Sequence, residues 1–198
     1  MLQYIKYYLV FSVSLCIGML LGLRYAPPEQ IVETIFVEVP GPATVEEIVV
    51  EPVSIPASAH TSVKTYMDYR KITKTDSAQY KLIHSDEIIT DDRGFLITKD
   101  GYIGVALGTY FGPIGSKFIF TFEDGHQLKL IKVEVKSDAH TCDHNILDGS
   151  NAAIEFVIDS KTSWMNAHRG SNGLIFNGNF NAYFNGKIKT VHKVVSVS

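Results

Sequence analysis

The chain has 198 residues, 45% hydrophobic and 20% charged, with a net charge of -3, which is room for one globular domain plus appendages. The charge is uneven: residues 25–60 hold six Glu and no Lys or Arg, whereas residues 61–198 hold 16 basic and 15 acidic residues. A nearly neutral C-terminal part lacks the basic face that phosphate neutralisation needs, which argues against a nucleic-acid partner. The two cysteines, Cys16 and Cys142, sit in unlike and distant contexts, so the fold is not expected to depend on a disulfide.

The first predicted element is a membrane anchor within residues 1–25. From Tyr7 to Leu23 run 17 uncharged residues, flanked by Lys6 and Arg24. At about 1.5 Å per residue that run just crosses a hydrocarbon core, and Tyr4, Tyr7, Tyr8 and Tyr25 suit its interfaces. The competing reading, a cleaved signal peptide, lacks an Ala-x-Ala-like site, and Pro27 and Pro28 follow where cleavage would fall. The basic N-terminal end is expected to stay inside, so that a single-pass chain presents its C-terminal part outside.

Residues 26–60 carry six of the seven prolines. Val32–Glu38 echoes Val45–Glu51, each closed by a nearby proline, Pro40 and Pro52. Alternating Val and Glu with recurrent Pro does not build a helix. The expectation is an extended, self-repelling stalk without a partner strand, the alternative being a strand that binds a partner.

Beyond residue 61 short apolar runs alternate with Gly, Asn and Asp. Predicted strands are Gly94–Thr98, Tyr102–Ala106, Lys117–Phe122, Gln127–Val135, Ala153–Ile158 and Ile188–Val197. Lys99-Asp100-Gly101, Glu123-Asp124-Gly125 and Leu147-Asp148-Gly149 supply turns between them. No segment keeps a 3.6-residue apolar period for four turns. The fold class is therefore mostly β, a small barrel or sandwich over residues 61–198 with its core at about 94–159. Tyr66–Arg70 reads as a segment that packs the stalk onto this domain.

Two stretches carry the chemistry. Gly101–Lys117 packs six Gly or Pro into seventeen residues, which implies a tight loop whose backbone lies close to something else. Val133–Asn145 ends a strand in the polar cluster Asp138, His140, Thr141, Cys142, Asp143 and His144, and the strand Ala153–Asp159 follows with Glu155 among apolar residues.

The order of a Val-Ala strand (Val105-Ala106), the loop Pro113-Ile114-Gly115-Ser116-Lys117, a strand ending in Asp138, and a strand holding Glu155 resembles a known pattern. It is similar to the double-psi β-barrel of the three-aspartate and rare-lipoprotein-A-like cell-wall lytic families. The resemblance spans about Gly101 to Asp159. It departs from the family pattern where Ala-His-Thr follows Asp138 in place of Thr-Gly, and where Glu155 replaces an aspartate.

The resemblance implies cleavage of peptidoglycan or another envelope glycan, without a cofactor, by carboxylate acid/base chemistry of the lytic-transglycosylase type. On that reading Asp138 is the acid/base. Glu155 is a neighbouring carboxylate and His140 an orienting or second proton-handling group. Thr141, Asp143 and Lys117 are substrate-binding candidates. The plainer reading makes Asp138 and Thr141 turn caps and turns Glu155 to solvent.

Asp138, His140, Cys142 and His144 fall at every second position, and a continued strand would put all four on one face. Residues two apart on a strand are about 6.5–7 Å apart, too far for four to share one ion, so no metal is expected. Trp164, Phe176, Phe180, Tyr183 and Phe184 read either as a sugar-stacking platform or as core. A non-catalytic module that binds glycan or protein at the envelope is the alternative function.

Overall fold

The structure is a computed structural model that describes residues 33–38, 45–61, 67–171 and 186–197. The predicted anchor at 7–23 lies outside the described residues. Among the described residues no helix is long and apolar enough to cross a membrane.

The protein is mostly β. Six strands carry the centre of the sheet: β2 (Val45–Val53), β7 (Ile103–Leu107), β8 (Lys117–Phe122), β9 (Gln127–Val135), β12 (Ala152–Ile158) and β13 (Ile188–Val197). With β1 (Glu33–Glu38) and β3 (His60–Thr61) they run in the order β1-β2-β13-β8-β9-β7-β12-β3. Two shorter strands, β5 (Ile88–Thr90) and β6 (Leu96–Thr98), extend from β7, and β4 (Met67–Asp68) pairs in parallel with β12. Most neighbours are antiparallel, but β7 runs parallel to β9, and β12 parallel to β3. A bridge between His60 and Lys187, with the Ile188 N–H donating to the Ala59 carbonyl at 2.9 Å, links β3 to β13.

The turn chemistry accounts for the hairpins. Gly125, at φ 90°, closes the Glu123-Asp124-Gly125 turn, so β8 and β9 pair from Thr121–Gln127 to Lys117–Ile131. One face of the sheet packs Phe118, Phe120, Phe122, Leu128, Leu130, Ile154 and Phe156 into the larger core. Each such fully buried ring is worth roughly 1.5–3 kcal/mol. The other face packs Ala106, Ile131, Val133 and Val157 against Ile83 of the short helix α1 (Ala78–Ile83) and against Ile72 and Ile88 on either side of it. Ser77 caps α1 by accepting from the Tyr80 N–H at 3.1 Å.

The stalk expectation does not hold for residues 45–60. The two Val/Glu echoes pair with each other, Glu33 opposite Val50 through Glu38 opposite Val45, and β2 then pairs with β13. Ile48 and Val50 are fully buried beside Ile119, so the alternation serves one covered face of a strand. Pro52 lies opposite His192 in the pairing of β2 with β13, and among the described residues the pairing of β1 with β2 reaches only to Val50. The domain therefore starts at or before Val45, not at residue 61.

Candidate functional site

A cleft of about 450 Å³ opens where β9 and β12 flank β7. Glu155 of β12 is in register with Ala106 of β7, and Ala106 with Glu134 of β9. The two glutamates therefore stand on either side of one small residue in a single cross-strand row, and all three line the cleft. Strand spacing sets their Cα atoms about 10 Å apart.

Glu134 reaches this face through a β-bulge. Val105 pairs with Lys132 but Ala106 with Glu134, so β9 carries one extra residue, Val133. Strict alternation would put Glu134 on the side of Leu128, Leu130 and Lys132. The bulge puts Glu134 on the other face beside Val133, as bulges beside functional sites do. Glu134 Oε1 accepts from the Val135 N–H at 2.7 Å and from Gln79 Nε2 of α1 at 3.3 Å.

Past β9 the chain turns through a 3-10 segment, Asp138–His140, then a two-stranded ribbon of β10 (Thr141–Cys142) and β11 (Leu147–Asp148). His140 lines the cleft with Glu155. Asp138 does not, being drawn instead to Thr109, whose Oγ1 donates to Asp138 Oδ1 at 2.8 Å. One short helical turn thus sends the two predicted proton-handling residues to different places. Thr141 donates to Asn145 Oδ1 at 2.8 Å within its own loop, and Asp143 is exposed. Lys117 lies elsewhere, lining a second groove with Ile114 and Lys193 and pairing with Asp100 at 2.6 Å.

The stretch 138–144 does not continue as a strand, which removes the premise for four side chains on one face. Asp143, His144 and Asn145 take left-handed conformations at φ 48°, 59° and 64°. The resulting loop sits so close to Gly108 that a Cβ there would lie 1.7 Å from the Asn145 carbonyl oxygen. The glycine-rich segment was expected to bring its backbone close to something, and at Gly108 that neighbour is the Asn145 carbonyl. Among the described residues no three His, Cys, Asp or Glu side chains are grouped to hold a metal. Trp164 packs against the larger core and stacks on His168 with centroids 3.8 Å apart. Phe176, Phe180, Tyr183 and Phe184 lie outside the described residues.

Two buried lysines and a buried aspartate were not singled out in the sequence. Lys136 and Asp148 line the cleft as an ion pair at 3.3 Å, and Lys136 Nζ also donates to the Ala152 carbonyl at 2.9 Å. Burial pushes the Asp148 carboxyl up, but bonds from Ser150 and Ala152 and the Lys136 charge outweigh it and hold the pKa at about 2. Lys132, fully buried, donates to the carbonyls of Gly108 and Gly112 at 2.7 Å each. Its burial lowers the pKa to about 8, against the attraction of Asp138 and Glu134.

A further clip fixes one wall. Met67 lines the cleft from β4, whose next residue, Asp68, accepts from the Ser160 hydroxyl and, at 3.1 Å, from the Ser160 N–H. Arg70 bridges Asp68 and Asp159, the latter at 2.6 Å. Burial raises the Asp68 pKa, but these partners hold it below the usual carboxylate value.

Fold and site together define a mostly β domain with a two-glutamate cleft on the sheet face opposite its larger core. No protein-family model, curated protein or solved structure matches the chain.

Proposed function

We propose that this chain is a membrane-anchored, cell-wall-active protein that cleaves peptidoglycan glycan strands by carboxylate acid/base chemistry in the Glu155 cleft. The observation that carries the reading is the meeting of Glu155 and His140 in one open groove, beside a second carboxylate. Cleavage of a neutral polyhydroxyl chain needs a carboxyl group to protonate the leaving oxygen, and a base to take a proton from sugar or water. A cleft of this volume suits a sugar unit or two of an extended strand.

The finer fold proposal is a double-psi β-barrel. Its support is the circuit β13-β8-β9-β7-β12-β3, which the His60–Lys187 bridge joins end to end, with two parallel pairs within it. Residues 7–23 supply the proposed single-pass anchor, with the domain outside.

The test is digestion of purified peptidoglycan by the detergent-solubilised full chain, with mass spectrometry of soluble products, beside Glu155→Gln and Asp138→Asn. Release lost in Glu155→Gln supports the cleft as the reacting centre. Release lost only in Asp138→Asn moves the chemistry to the Thr109 side. If the wild type releases nothing yet sediments with the wall, the domain is a glycan-binding module and the enzymatic reading is abandoned.

A further inference from the structure

The sheet joins up at one end and stays open at the other. The bridge from His60 to Lys187 links β3 back to β13. At the opposite end β1 pairs with β2 along one edge, and among the described residues no strand pairs with its second edge. Of the described strands that pair on one edge only, β1 is the longest, with six residues against three in β5. Its register is unbroken from Glu33 opposite Val50 to Glu38 opposite Val45, with no bulge, proline or lysine within it. Those are devices by which exposed edges are blunted. Without them the outer edge of β1 offers a row of backbone donors and acceptors spaced for a further strand.

Charge selects what this edge accepts. Residues 33–53 hold five Glu and no Lys, Arg or His. In register only Glu51 lies opposite a cation, Lys193 of β13, whereas Glu33, Glu38, Glu46 and Glu47 lie opposite Val or Phe. A second copy of the chain would bring the same Glu33 and Glu38 to the edge and no cation with them. Like charges on paired strands repel, and opposite charges stabilise the pairing. We infer that the outer edge of β1 is a docking site for a basic, extended segment of a partner protein, which joins the sheet as one more strand. Main-chain hydrogen bonds supply the affinity, and Lys or Arg beside the glutamates supplies the selectivity. The strands β2, β13 and β8 separate this edge from the cleft strands β9, β7 and β12, so the inference stands apart from the reaction proposed for the cleft.

The experiment titrates the detergent-solubilised full chain with a fluorescent, end-blocked peptide of alternating Lys and Val, read by anisotropy and by amide hydrogen exchange. Two control peptides accompany it. One has Glu in place of Lys, and the other keeps Lys but is N-methylated at two adjacent central amides, which removes donors from both of its edges. The Lys peptide is expected to bind and to slow exchange within residues 33–38, and both controls to bind at least about tenfold more weakly. Glu33→Gln/Glu38→Gln is expected to weaken the Lys peptide about fivefold, the effect of losing two exposed ion pairs. Exchange in the wild type decides the place of binding even if the variant folds poorly. No binding of the Lys peptide, or binding without protection of residues 33–38, overturns the inference. Equal binding of the N-methylated peptide also overturns it, because charge would then act without strand addition. Dimerisation of the chain alone with protection of the same amides would give the edge to a second copy and overturn the basic partner.

Discussion

The Lys136 ammonium lies 3.3 Å from Asp148 Oδ2, and both residues are buried in the wall of the cleft that holds Glu155. Removing one member of such a pair strands a desolvated charge. Replacing both with apolar groups of similar volume does not.

Asp148→Asn is therefore expected to cost about 3 kcal/mol in urea unfolding, and the double variant Lys136→Met/Asp148→Leu distinctly less. Equal losses would show that the pair is not what the cleft wall depends on. The same carboxylate sets an acid limit. Its folded pKa of about 2 lies below the reference 3.8, so its contribution is complete above about pH 4 and is lost as pH falls toward 2. Asp68, shifted in the same direction, adds to that loss. Unfolding free energy measured over this range should fall more gently in Asp148→Asn than in the wild type.

Lys132 has the opposite consequence at the alkaline end. Its folded pKa, about 8, lies below the reference 10.5, so between these values the unfolded chain holds the extra proton. Stability from this group must rise with pH across that window. Lys132→Met removes the rise, but it also deprives the Gly108 and Gly112 carbonyls of their donor. Hydrogen exchange across residues 108–112 should accelerate in the variant even where global stability improves. A variant that keeps both the alkaline rise and loop protection would remove Lys132 from this role.

Strand positions were legible because the apolar runs end at Gly and Asp turns. β8, β9 and β13 occupy the predicted ranges, and β7 and β12 differ by a residue at one or both ends. Three things were not legible. Glu134 carried no signal as a cleft residue because alternation has no term for the bulge at Val133, which only the pairing with β7 reveals. Asp138 and His140, two residues apart in sequence and both proton-handling types, part company because a 3-10 turn replaces the strand. Lys132 and Lys136 gave no signal, since their acceptors, the Gly108, Gly112 and Ala152 carbonyls, lie 16 to 24 residues away.

The segment mistaken for stalk gives the sharpest test of the fold. A chain starting at residue 61 lacks β2 and nearly all of β3, and with them Ile48, Val50 and Ala59, all fully buried. It also loses the Ala59 carbonyl that accepts from the Ile188 N–H, so β13 becomes an open edge and β12 keeps only the two-residue β4 on that side. Burial of three apolar side chains is worth several kcal/mol at roughly 25 cal/mol per Å², comparable to the whole stability of a small domain. Residues 61–198 are therefore expected to be molten or aggregated, and residues 45–198 to unfold cooperatively, as read by near-ultraviolet circular dichroism and thermal melts. Equal, cooperative melts for the two fragments would mean that β2 decorates the sheet and that the smaller unit folds without it.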